Sequence, residues 1–134
     1  FMYLYIDTSN YSHIFLALLD NKGAILIFKK IKAEYKQSEK LLENINKILN
    51  NNAKKTDGII CVIGPGGFTS LRIGIATANA IAWALNIPII GIENKFGVNG
   101  QDLISAGYKK IIKIKNFKQI LPKYGAEPNI TLKK

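Results

Sequence analysis

The chain has 134 residues, 48% apolar and 21% charged, the make-up of one globular domain with a packable core rather than of a disordered segment or of two full lobes. Nineteen basic residues against nine acidic ones give a net charge of +10, and the imbalance is concentrated late. Residues 1–93 hold ten basic and seven acidic side chains, whereas 94–134 hold nine and two. One cysteine (Cys61) and one histidine (His13) exclude an internal disulfide and a zinc site built from those ligands.

Tyr3-Leu4-Tyr5-Ile6 reads as a first strand running into the turn-rich Asp7-Thr8-Ser9-Asn10. The apolar run from His13 to Leu19 and the segment Ala24-Ile25-Leu26-Ile27-Phe28, separated by Asp20-Asn21-Lys22-Gly23, complete three antiparallel strands. From Ser38 the period changes. Leu41, Leu42, Ile45, Ile48 and Leu49 form one stripe of a helix that Ser38 is expected to cap and Asn50-Asn51-Asn52 to end. Gly58-Ile59-Ile60-Cys61-Val62-Ile63-Gly64 reads as a strand buried on both faces, with Cys61 an inert core thiol. A helix over 69–85 follows, stopped by Asn86 and Pro88, and Pro88-Ile89-Ile90-Gly91-Ile92 is a further strand. A weak helix near 98–106, a last strand at 110–114 and a tail over 115–134 close a single domain spanning 1–134. The order β-β-β-α-β-α-β-α-β predicts an α/β ribonuclease H-like domain, a fold that settles no function alone.

Two features stand where this fold places its working atoms. Asp7 and Thr8 lie in the turn after the first strand, where a nuclease would hold metal and a kinase-like lobe would hold phosphate. Only Glu93 is placed to approach Asp7, and the alternative is a structural turn bonded to its own backbone. Gly64-Pro65-Gly66-Gly67-Phe68-Thr69-Ser70-Leu71-Arg72 runs from a strand through glycines into a helix. It reads either as an anion-binding loop using Gly64, Gly66, Gly67, Thr69 and Arg72 or as a tight turn capped by Thr69. It is not a P-loop, because no Lys-Ser or Lys-Thr pair follows the last glycine.

The helix over 69–85 is apolar all round, and only Arg72, Thr77 and Asn79 are polar past its first turn. Such a helix must be covered all round, so a subunit interface is expected on the small-residue ridge Gly74, Ala78, Ala82, against the alternative that the chain buries the helix internally. Tyr108, Phe117 and Tyr124 alternate with lysines, which is either a solvated face on a packed segment or an RNA-stacking surface. Eighteen lysines and a single arginine argue against bidentate reading of bases. No apolar run is long enough to span a membrane and the start shows no secretion leader, so a cytoplasmic protein is expected.

Ile6-Asp7-Thr8-Ser9, Ser38-Glu39-Lys40-Leu41-Leu42, the Gly64-to-Gly74 stretch with its alanine-rich helix, and Ile87-Pro88-Ile89-Ile90-Gly91-Ile92 together resemble the TsaB (YeaZ) family. This is the noncatalytic partner family of TsaD in bacterial threonylcarbamoyladenosine synthesis on tRNA. The likeness covers about 2–93 and is met again at Gly125-Ala126-Glu127-Pro128. It implies an actin-like ATPase (ASKHA) lobe whose second lobe is largely missing here. It also implies a heterodimer with TsaD through helices 38–50 and 69–85, with Leu41, Leu42, Ile45, Leu71, Gly74, Ile75, Ala78 and Ala82 at the interface, and TsaE as a further partner; in isolation a homodimer is expected, because the same apolar face would seek cover. No cofactor, metal ligand or catalytic residue is expected of this chain, and tRNA contact is expected to be indirect or weak. The rival readings are a metal-dependent phosphoryl-transfer or nuclease enzyme and a basic RNA-binding module. Gly67 and Ser70 exchange the serine and glycine usual in the family motif, Gln37 stands where a histidine is common, and the serine-leucine usual after Glu93 is absent.

Overall fold

Tyr3 and Tyr5 join one apolar cluster while Leu4 and Ile6 join another, and this two-sided burial makes β1 (Met2–Asp7) the middle of a five-stranded sheet. The computed structural model describes residues 2–34, 36–50, 52–94 and 99–123. β2 (His13–Leu19) and β3 (Ile25–Lys32) add antiparallel on one side, and β4 (Thr56–Gly64) and β5 (Ile89–Glu93) add parallel on the other, giving the order β3-β2-β1-β4-β5. Helices α1 (Gln37–Leu49) and α2 (Phe68–Leu85) pack on the Leu4/Ile6 side, and α3 (Gly100–Ile111) packs on the Tyr5 side. Cys61 is fully buried, and burial pushes its thiol far above the ordinary range.

Asn50 and Asn86 end α1 and α2 in the left-handed conformation (φ 51° and 54°), which asparagine tolerates better than most residues. The starts differ from expectation. Neither Ser38 nor Thr69 caps a helix: the N-cap positions are Lys36 and Gly67, without side-chain caps. The third strand extends to Lys32 because it is a sheet edge, exposed along most of its length, where lysines cost nothing in burial.

The strand expected at 110–114 is not formed. Leu103, Ile104, Gly107 and Ile111 recur at helical spacing and seat α3 under the sheet, carrying Ile111 to 1% exposure and leaving Ile112 and Ile114 outside. Asn99 caps this helix by accepting from the Asp102 amide at 2.8 Å, so it begins later and runs further than the 98–106 estimate. Beyond it, the segment to Lys123 crosses the flank of α2 with Phe117 and Ile120 packed on the core. Gly125-Ala126-Glu127-Pro128 lies outside the described residues.

α2 lies close to the sheet through Gly74, Ala78 and Ala82, all buried, and a side chain on Gly74 would collide with Thr8. The small-residue ridge therefore faces inward. Replacing Ala78 with glutamate places an unpaired carboxylate at a fully buried position, which costs several kcal/mol. Ala78→Glu is expected to yield insoluble or unfolded protein, measured by circular dichroism and by its chemical denaturation midpoint.

Candidate functional site

The Asp7-Thr8-Ser9 turn forms where β1 ends. Asp7 Oδ1 accepts from the Ser9 amide at 2.9 Å and from the Ser9 hydroxyl at 2.6 Å, an Asx turn closed on itself. Burial raises the Asp7 carboxyl above its usual range, opposed by the two Ser9 bonds. Thr8 is fully buried against Gly74, and among the described residues its hydroxyl has no hydrogen-bond partner. Glu93 does not join Asp7. It pairs with Lys123 at 3.1 Å, and among the described residues no three His, Cys, Asp or Glu side chains come together as metal ligands.

The glycine loop docks onto this turn. The Gly67 amide donates to Ser9 O at 2.9 Å, and Asn94 bridges the two by donating its amide to Gly64 O at 2.7 Å and its side chain to Ser9 Oγ at 3.4 Å. Gly64 has φ +126°, and a side chain there would meet the carbonyl of Lys123; one on Gly66 would meet Ser9. These contacts favour the tight-turn reading. The Ser–Gly exchange also has a local account. A Cβ on Gly67 would lie 2.9 Å from Ser70 Oγ, so residues 67 and 70 share one gap that a single hydroxymethyl group fills from either side. Gln37, in place of the common histidine, donates its side-chain amide to Tyr11 O, holding the start of α1 to the loop after β1.

Arg72 belongs to neither the loop nor the turn. Its guanidinium stacks on Phe68 at 5.3 Å and lines a notch between α2 and the 117–122 segment. Thr69 lines a different cleft, of about 580 Å³, between the starts of α1 and α2, together with Lys36, Ser38 and Phe68.

Of the eight residues expected at a partner interface, Leu41, Ile45, Leu71, Gly74, Ile75, Ala78 and Ala82 are buried inside the chain, and Leu42 alone is exposed, at 51%. Their apolar character serves the internal core, which leaves the other face of α2 and Leu42 as the exposed apolar part of these helices. The outward face of α2 holds a second small-residue row that sequence reasoning passed over, Ala76, Ala80 and Ala84, beside Phe68 at 56% exposure and Trp83 at 72%. Its spacing of i, i+4, i+8 matches that of the buried row. Only the position of the sheet distinguishes the two.

Among the described residues of the basic C-terminal third, the aromatic rings of Tyr108 and Phe117 turn inward. Tyr108 packs edge-on against Tyr3 at 5.7 Å and donates to Asn21 O, and Phe117 lies on the core, which leaves neither ring free to stack on bases; Tyr124 lies outside the described residues. No helix among the described residues is long and apolar enough to cross a membrane.

Because burial raises the folded-state pKa of Asp7 above its value in the unfolded chain, its contribution is full at low pH and is lost as pH rises through the folded pKa. Asp7→Asn keeps the Oδ1 acceptor and removes the charge. Relative to the parent chain, the variant is expected to gain stability between pH 4 and pH 7, by urea denaturation at each pH.

The family model for TsaD, tRNA N6-adenosine threonylcarbamoyltransferase, matches residues 31–121. The tRNA threonylcarbamoyladenosine biosynthesis protein TsaB of Bacillus subtilis is 32% identical over 100 residues, covering 68% of this chain and 40% of that protein. The tRNA N6-adenosine threonylcarbamoyltransferase of Wigglesworthia glossinidia brevipalpis is 39% identical over 75 residues, covering 56% of this chain and 22% of that protein. The crystal structure of YeaZ from Pseudomonas aeruginosa superposes with a TM-score of 0.62 at 26% identity, over 69% of this chain and 44% of the other. The chain thus spans less than half the length of these relatives. It belongs to the tRNA N6-adenosine threonylcarbamoyltransferase family, as a member of its TsaB (YeaZ) branch with the actin-like, ribonuclease H-like α/β fold.

Proposed function

We propose that this chain acts in tRNA threonylcarbamoyladenosine biosynthesis as a noncatalytic scaffold that docks on a TsaD-type transferase and holds it in its active arrangement, with TsaE as a further partner. The observation that carries the reading is the exposed apolar face of α2: Phe68, Ala76, Ala80, Trp83 and Ala84, with Leu42 of α1 also exposed. Trp83 alone offers on the order of 3 kcal/mol when covered, at about 25 cal/mol per Å² of apolar surface. Alanines at helical spacing let a second helix approach closely, and bulky neighbours fill the space on either side.

The likeness supports this kind of partner. The transferase family model matches residues 31–121, which include α1 and α2, so a transferase subunit of this fold is expected to present an equivalent pair of helices that packs against them as a near-symmetric bundle. Catalysis is assigned to the partner. In this chain Asp7 is bonded by Ser9, and Glu93 is paired with Lys123 rather than with Asp7. Contact with tRNA is indirect in this reading, since Tyr108 and Phe117 are held against the body of the chain.

The test is co-purification with the TsaD-type transferase of the same organism. Ala80→Glu sets a charge on the exposed row, where it is tolerated in the free chain. The variant is expected to keep its thermal midpoint and to lose the complex on a sizing column. An unaltered complex with Ala80→Glu would remove α2 from the interface.

A further inference from the structure

We propose that α2 and the segment over 117–122 form a receiving notch for a carboxylate side chain of the docked partner, with Arg72 as the group that recognises it. The inference rests on the docking reading above and names the chemistry the partner must present.

The notch has a volume of about 190 Å³ and is bounded by Arg72, Ala76 and Asn79 on the helix and by Ile120, Leu121 and Pro122 on the segment. It is open to solvent, with Arg72, Asn79 and Gln119 as its polar lining. Its outer wall is anchored. Asn79 Nδ2 donates to Ile120 O at 2.9 Å and Asn79 Oδ1 accepts from Ile120 N at 3.0 Å, so one amide matches both backbone groups of one residue. The Lys123 amide donates to Ile63 O at 2.7 Å and fixes the far end to β4, while Phe117 and Ile120 pack on the core.

That pairing engages both polar ends of the Asn79 side chain and leaves Arg72 as the charged donor in the notch. The guanidinium lies over the ring of Phe68, one turn earlier, at 5.3 Å from its centroid, a contact that restrains the side chain without using up its hydrogen-bonding capacity. The two ion pairs among the described residues are Lys47–Glu43 and Lys123–Glu93, and neither uses it. Arg72 and Ala76 lie on the same side of α2 as Ala80 and Trp83, so the notch opens onto the docking face. A partner seated there would cover Leu121, now 69% exposed, and Pro122, and the resulting loss of water strengthens an arginine–carboxylate pair. The +10 net charge of this chain favours the approach of an acidic partner surface, and Arg72 is the cation that lines the notch.

The experiment titrates the full chain against the TsaD-type transferase of the same organism by calorimetry at low and high ionic strength. It compares the parent with Arg72→Gln, Arg72→Lys, Leu121→Ala and Ala80→Glu, each checked for an unchanged circular dichroism melt. Arg72→Gln is expected to weaken binding about tenfold at low salt and to flatten the salt dependence. Arg72→Lys should keep the salt dependence and lose most of the affinity, because the fork geometry is gone. Leu121→Ala should weaken binding less and leave the salt dependence intact. If Arg72→Gln binds like the parent with the same salt dependence while Ala80→Glu does not bind, the notch is wrong and the docking reading stands. Parent-like binding by both variants, or no binding by the parent, overturns both. Should Arg72→Gln abolish self-association rather than transferase binding, the notch belongs to a second copy of this chain and the proposal fails.

Discussion

The close approach of α2 to the sheet governs the architecture. Gly74 sits where any side chain would strike Thr8, and Ala78 and Ala82 continue the contact along the helix at full burial. This sets the rotation of α2 about its axis, because turning it by one residue would drive Ile73 or Ile75 into the space only glycine fits. Once the rotation is set, the remaining apolar residues have no choice of direction. Ala76, Ala80, Trp83 and Ala84 face outward because their smaller-faced counterparts face in. The partner-facing surface is thus a geometric consequence of core packing.

The same economy holds at the end of the sheet. Asp7, Ser9, Gly64, Gly67 and Asn94 form one connected set of hydrogen bonds that ties the β1 turn, the glycine loop and the end of β5 together. Close approach of neighbouring segments requires these glycines, with Gly64 against Lys123 and Gly66 against Ser9. Asp7 remains buried at the centre of the set, its charge opposed by burial and supported by Ser9. This corner holds three segments in register and steadies the start of α2.

Both arrangements meet in the segment after α3. Its Lys123 closes on β4 and on Glu93 at the sheet end, and its Ile120 closes on Asn79 at the helix flank. The segment therefore couples the closed corner to the docking surface, and places Leu121 and Pro122 opposite Arg72. The lysines of this segment lie on its solvent side while Phe117 faces the core.

Periodicity alone yielded the three antiparallel strands, both major helices, the doubly buried strand around Cys61 and the asparagine helix ends, since each has a local cause: alternation, a stripe at 3.6 spacing, or a left-handed terminus. The excess of apolar residues on α2 was equally plain, and with it the need for cover. Which of two identical small-residue rows met the sheet was invisible, because Gly74-Ala78-Ala82 and Ala76-Ala80-Ala84 have the same spacing and nearly the same size; a neighbour distant in the chain, Thr8, breaks the tie. The isoleucines after Lys110 misled for a related reason. Their β-branched run favours a strand in isolation, and the fit of Gly107 against Ile60 holds Ile111 as the last helical residue, buried in the same cluster, with Ile112 and Ile114 left outside. Local preference names the element, but contact between residues far apart in the chain chooses which of its faces is hidden, and the exposed remainder is where a partner can act.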